Sequence, residues 1–451
     1  MSGPSQIDLG VYRFDPASGP EGRDPPGRPW PEWWRLRRVP PRRWLAALLV
    51  PVLLFTVDSV PRQPSLVPLW EAPSQLIASG ATGYGLVQSG DGATIAAYRL
   101  ADGEVRWKYR APGVGWAGLS LVGDTLLVSN WSLASVVALD AATGQERWWR
   151  EGRFGFTVAE RWLFLTVSGG VAGGGIEILG DDAPHEVAMV DARTGEAAWT
   201  GRWDPSEEAL YEVTGYLLTS QPSGRLTRYD PATGGVLATA ETGRGRPRIV
   251  TVVDDLVMIT DPAGVAAYEL ETLRERWRLD AVDGWAAACG TLVCAYGDRT
   301  LHGLDPQTGE ARWSRRCDDL AEDPDPPADP AVCHLRPPIS DAVPVLPRLT
   351  ATTVTYLTLD PATGDLGAEL TGWWPTGLRR GDRMLMISLH LGGGAGPQSW
   401  LGWWRPGSSA VDLVRPVTAT QCGHLTGDYL LCGRVDPVTG DTIDARVWRV
   451  G

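Results

Sequence analysis

The sequence predicts an all-β fold, a β-propeller of four-stranded antiparallel blades, on three observations. A ten-residue phrase returns at intervals near 40 residues, and the segments flanking it alternate apolar and polar residues with a period of two. Glycine and proline, 54 and 36 of 451 residues, punctuate the chain as turns. Short strands repeated at that period stack into a closed ring, the arrangement that leaves the fewest exposed edges. A chain of this length exceeds one ordinary compact core, and a ring of small cores removes the difficulty. With 43% apolar residues it is too hydrophobic to be disordered.

The phrase reads LDAATGQERW (Leu139–Trp148), VDARTGEAAW (Val190–Trp199), YDPATGGVLA (Tyr229–Ala238), LDPQTGEARW (Leu304–Trp313), LDPATGDLGA (Leu359–Ala368) and VDPVTGDTID (Val435–Asp444). LADGEVRW (Leu100–Trp107) and YELETLRERW (Tyr268–Trp277) are looser copies, and WRPGSSAVDLV (Trp404–Val414) is read as an obscured one turning at Gly407. Its structural residues are Asp140, Gly144, Trp148, Asp191, Gly195, Trp199, Asp230, Gly234, Trp277, Asp305, Gly309, Trp313, Asp360 and Gly364. Hairpin chemistry explains the pattern. The Asp carboxylate accepts from turn amides, Pro suits the second turn position, and Gly takes the left-handed conformation that completes a bulged hairpin. A Trp four residues beyond the Gly offers a large apolar body to cover the joint between neighbouring sheets. Leu273 stands where the other copies have Gly.

Within a unit the strands read A, B, C, D; in the sixth they are Trp285–Cys289, Leu292–Tyr296, Thr300–Asp305 and Ala311–Arg315. Eight blades are expected, with seven and nine left open by residues 335–359. The last unit lacks a D strand, so its DPVTGD turn is expected to join B to C. LVPLWEAP (Leu66–Pro73), which parallels RWKYRAP (Arg106–Pro112), supplies the missing strand and closes the ring by pairing the chain ends.

Ahead of the ring, residues 1–43 carry eight Arg against five acidic residues and read as a disordered tail, leaving 33 basic against 49 acidic residues in the remainder. The uncharged stretch Trp44–Val57 is about 21 Å long as a helix, at roughly 1.5 Å per residue. Its Arg- and Pro-rich flanks argue against a core helix, and 43 preceding residues without an A-x-A site argue against a cleavable signal peptide. The expectation is an uncleaved transmembrane anchor over 44–60 and a linker over 61–68, ahead of an ectodomain over 69–451. Arg35, Arg37, Arg38, Arg42 and Arg43 face only Arg62 across the span, which places the N-terminus in the cytoplasm and the ring outside. Low Lys and high Arg, Ala, Gly and Pro usage points to a GC-rich bacterial genome. An acidic exterior excludes nucleic acid as a partner.

The D-x-x-T-G-x-x-x-W phrase resembles the repeat of quinoprotein-type (pyrroloquinoline quinone, PQQ-like) propellers, and the resemblance covers about residues 66–451. Enzymes of that family hold the quinone with a metal ligated by Glu, Asn and Asp, and many set two adjacent Cys against the ring. Here no two Cys are adjacent and the single Asn is Asn130, so neither cofactor nor metal is expected and PQQ with calcium is disfavoured. Similar repeats also occur in envelope-assembly scaffolds and sensor ectodomains, so the resemblance implies a scaffold or sensor.

Six Cys in an exported domain suggest local disulfides: Cys289 with Cys294, Cys317 with Cys333, and Cys422 with Cys432, the first having the poorest register for a cross-strand bridge. Five His are scattered over different units. Asp181, Asp182 and His185 form the one notable polar trio and read as a loop turn on the candidate binding face. GVGWAG (Gly113–Gly118) has the dinucleotide-binding spacing without the helix that chemistry needs, and reads as a turn. C-x-x-C, H-E-x-x-H, G-x-S-x-G and G-K-[ST] are absent. Of the doublets Trp148-Trp149, Trp373-Trp374 and Trp403-Trp404, one member each is expected in the core, the other being free to stack a sugar. Long insertions fall at Gly169–His185, Cys317–Leu335 and Gly392–Gln398, all on the face of the B–C and D–A loops, opposite the A–B and C–D turns. The function expected is a non-catalytic, membrane-tethered ring that binds a protein or cell-envelope ligand there. A PQQ-dependent oxidoreductase and a glycan binder are the alternatives, and the oligomeric state is left open.

Overall fold

The computed structural model describes residues 66–450 except 74–75, 90, 114, 131, 160, 167–183, 214, 244, 246–248, 262, 281–284, 317–344, 350–353, 391–397, 418–420 and 436–441. The expected tail, anchor and first part of the linker therefore lie outside the described residues, as do Asp181, Asp182, Cys317, Cys333 and Gly440. Among the described residues no helix is long and apolar enough to cross a membrane.

Every described element is a strand, and the strands form eight four-stranded antiparallel sheets and one three-stranded sheet. In chain order, sheets 1 to 6 span residues 76–112, 116–151, 153–203, 209–241, 249–280 and 285–316; sheets 7, 8 and 9 span 345–371, 374–417 and 421–450. The eight complete blades match the expected count. The three-stranded sheet, Val345–Leu349, Val354–Leu359 and Leu366–Thr371, falls in the region the sequence left open. Its DPATGD turn follows its second strand, so the three occupy the B, C and D places.

Strands B and C are buried on both sides, as in Leu126–Val128 and Val136–Leu139 of sheet 2, because each sheet packs on two neighbours. Nine apolar clusters make the chain of contacts, each spanning one joint. Tyr84, Ile95 and Ala97 of sheet 1 meet Leu126, Val128 and Leu139 of sheet 2. Cys294, Tyr296 and Leu301 of sheet 6 meet Leu357 and Leu359 of sheet 7. Trp403 of sheet 8 meets Leu430 and Trp448 of sheet 9. Double-sided burial corrects one expectation. Trp403 and Trp404 are both fully buried, Trp404 in the joint to sheet 7 and Trp403 in the joint to sheet 9. Opposite faces of an inner strand are both core in a ring, whereas at Trp148-Trp149, on the outer strand, only Trp148 is buried.

Sheet 9 closes the ring as the sequence predicts. Gln421–Thr426, Tyr429–Val435 and Thr442–Val450 are its A, B and C strands, and Leu66–Ala72 lies beside the last as D. Leu66 pairs with Val450 and Ala72 with Ala445, with a bulge between Pro68 and Trp70. The strand starts inside the segment 61–68 assigned to the linker. Two disulfides lie in strands A and B of sheets 6 and 9, Cys289–Cys294 and Cys422–Cys432. Cys422 and Cys432 are direct cross-strand partners, while Cys289 pairs with Leu292 and Cys294 with Ala287, so that bridge runs diagonally.

Candidate functional site

The repeat residues build the joints that make the ring rigid. In each turn the Asp backbone carbonyl accepts from the Gly amide, at 2.8 Å for Asp140 and Gly144 and for Asp305 and Gly309. The Asp carboxylate gathers the amides between: Asp140 Oδ1 accepts from Ala142 N at 3.0 Å and Thr143 N at 2.8 Å. Asp191, Asp230, Asp305 and Asp360 repeat the pattern with Arg193, Ala232, Gln307 and Ala362. The glycines have φ between 70° and 76°, the left-handed region that L side chains avoid.

A second requirement falls on the same glycines. The Trp of six D strands lies across the next sheet's turn: Trp70 over Gly103, Trp107 over Gly144, Trp148 over Gly195, Trp199 over Gly234, Trp277 over Gly309 and Trp313 over Gly364. A Cβ on Gly195 would stand 2.6 Å from the Trp148 ring, so only Gly lets the indole seat. The indole N–H then donates to a carbonyl of that turn: Trp148 to Ala192 O at 2.9 Å, Trp199 to Pro231 O at 2.9 Å, Trp277 to Pro306 O at 2.8 Å, Trp313 to Pro361 O at 2.9 Å. Trp107 uses Ala141 O and Trp70 uses Leu100 O, so the closing strand both completes sheet 9 and latches sheet 1. A buried indole thereby gains its apolar contact and satisfies its one donor together.

Electrostatics reinforce the turns. Arg147 donates to Asp124 through both terminal nitrogens at 2.8 Å and to Asp140 at 2.6 Å, tying the A–B turn of sheet 2 to its C–D turn. Its guanidinium holds the Asp124 carboxyl down to about 2 and also lowers Asp140. Arg312 pairs with Asp305 at the equivalent place in sheet 6. Tyr109 donates to Glu146 of the next sheet at 2.6 Å, and burial together with that carboxylate pushes the phenol well above its ordinary value.

Among the joints without a Trp–Gly pair, the one between sheets 4 and 5 departs in a way the sequence hinted at through Ala238 and Leu273. Between sheets 4 and 5 the Trp place holds Ala238 and the Gly place holds Leu273, with φ 54° and buried. The two side chains share one apolar cluster with Leu218, Tyr268 and Leu270. Arg228, cross-strand to Ala238, reaches over and donates from Nη1 to Leu270 O at 2.9 Å, the acceptor an indole uses elsewhere. Its guanidinium lies 4.4 Å over the Tyr216 ring. Sequence reading recorded the Leu but missed Arg228, whose role depends on a cross-strand register rather than on spacing.

The face of the B–C and D–A loops offers less that can be described. The stretches 167–183 and 391–397, between the B and C strands of sheets 3 and 8, and 317–344, after strand D of sheet 6, lie outside the described residues. His185 begins strand C of sheet 3, buried, with its ring stacked on Trp203 at 5.9 Å. Its place beside Asp181 and Asp182 falls outside the described residues. Leu133, in the B–C loop of sheet 2, is 61% exposed. Asn130 ends the B strand there, 1% exposed, with Oδ1 accepting from Leu133 N at 2.9 Å. In GVGWAG, Gly113 and Gly115, both at positive φ, lie between strand D of sheet 1 and strand A of sheet 2, and Trp116–Gly118 begin that A strand.

Asn130 is committed to its own turn, and among the described residues no three His, Cys, Asp or Glu converge as ligands. The described Cys are bonded across hairpins rather than paired as neighbours.

No curated protein matches the sequence. Among solved structures, BamB from Moraxella catarrhalis is 13% identical, with 85% of this chain and 97% of that one covered at a TM-score of 0.40. The computationally designed Ika8 protein is also 13% identical, covering 86% and 99% at 0.41. A europium-containing methanol dehydrogenase is 11% identical, covering 85% and 93% at 0.45. The PQQ-repeat family model described as "Outer membrane protein assembly factor BamB" matches residues 91–256 and 183–323. Those matches together span more than half of the chain, which therefore belongs to this family of PQQ-like repeat β-propellers.

Proposed function

We propose that this chain is a non-catalytic scaffold that binds a protein of the cell envelope through the loop face of its ring. The observation that carries the reading is membership of a repeat family described by an envelope-assembly factor, in a chain whose repeat residues are consumed by structure. Trp, Gly and Asp of each phrase hold joints and turns, which leaves recognition to the loops. The sequence pattern assigns its long insertions to the loop face, and loops on a rigid frame are where proteins place binding.

The closing strand Leu66–Ala72 starts at the Val450 end of strand C, the face of the A–B and C–D turns. Two described disulfides are consistent with an oxidising compartment.

Titration of the purified ring with PQQ and calcium tests the scaffold against an oxidoreductase. The expected result is no change in quinone absorbance and no reduction of an acceptor dye with alcohol substrates. Stoichiometric binding with turnover would replace the scaffold by an enzyme.

A further inference from the structure

The six Trp–Gly joints are chemically interchangeable, since each presents the same indole to the same kind of turn. Interchangeable neighbours are a hazard for a repeat protein, because a strand D can dock on the wrong turn or on the turn of another copy. The joint between sheets 4 and 5 is incompatible with all six in both directions. A Trp-bearing strand D offered to the sheet 5 turn would meet the Leu273 side chain where it needs a Gly. Offered to a Gly-bearing turn, the sheet 4 surface would bring Ala238 and leave the indole's place unfilled.

The three substitutions also compensate one another. In strand C the residue beside each Trp is Val447 for Trp70, Ala97 for Trp107, Ala138 for Trp148, Met189 for Trp199, Ala267 for Trp277 and Gly303 for Trp313. Sheet 4 inverts that pair, with the long side chain in C (Arg228) and the small one in D (Ala238). Leu273 fills the volume an indole would occupy, and Arg228 supplies the N–H for Leu270 O. The joint between sheets 7 and 8 is filled differently: a Cβ on Gly407 would meet nothing within 4 Å, and Trp404 and Trp373 pack in the cluster with Ala368.

We infer that the sheet 4–sheet 5 joint is a register key, a recoded latch that admits only its own partner and so fixes the order in which near-identical repeats close into a monomeric ring. The inference rests on the joint geometry and is independent of what the loop face binds.

The test recodes the joint to the common form with R228A/A238W/L273G in the full chain, disulfides intact, and measures refolding from urea. The key predicts a native protein with a thermal midpoint close to the parent's, but recovery of monomer lower by about threefold or more, with dimers and larger species making up the difference. Recovery of monomer equal to the parent's overturns it. If the triple variant does not fold, A238W, L273G and the double variant decide. The key requires the double to be more stable than either single, and a double no more stable than the weaker single overturns it.

Discussion

Gly195 shows how much one residue of the phrase carries. Its φ of 75° disfavours any side chain, and a Cβ would press on Trp148. Both costs act together, so Gly195→Ala is expected to destabilise the protein by about 2–4 kcal/mol in chemical denaturation. Trp148→Ala removes the indole that seats there and its hydrogen bond to Ala192 O, with an expected loss of about 3–5 kcal/mol. Leu273→Gly is a contrasting case, because there a Gly opens a hole in a cluster built around a larger side chain. The meaning of a glycine in this chain is therefore set by the strand that faces it from the preceding sheet.

At the scale of an element, sheet 2 shows what spacing reveals and what it conceals. The phrase Leu139–Trp148 announced a C–D hairpin, and its Asp, Gly and Trp geometry could be argued from turn chemistry alone. The Arg147 network could not, because Asp124 reaches it from a different turn. That network has a pH signature. The folded-state pKa of Asp124 is depressed, so its contribution to stability is present above the ordinary carboxylate value and is lost as pH falls from about 4 toward about 2. Arg147→Gln is expected to lower the urea midpoint at pH 6 and to make little difference below pH 2, with the effect shrinking in high salt. An equal loss at both pH values would assign Arg147 a packing role instead. Trp403-Trp404 marks the limit of strand-level reasoning. Alternation correctly sent the two rings to opposite faces, but whether both faces are buried is decided by sheets on either side.

For the whole molecule, ring closure was legible because the last copy of the phrase is preceded by two strands of its unit instead of three. The parallel between LWEAP and RWKYRAP then supplied the missing one, down to a Trp70 latch onto sheet 1. The three-stranded sheet was harder to read. Its A place falls in a stretch rich in Pro and acidic residues with no repeat phrase of its own. The candidate site was less legible than the fold for a physical reason: repeat residues recur because every joint needs the same chemistry, whereas a binding face is built from loops that share no period. The central claim is recognition through that face. Site-specific photo-cross-linking in native membranes tests it most directly, with the probe at Leu133 on the loop face and, in a parallel variant, at Asp102 on the turn face. The account predicts a discrete protein adduct from Leu133 and none from Asp102. An adduct from Asp102 alone, or none from either position, would contradict it.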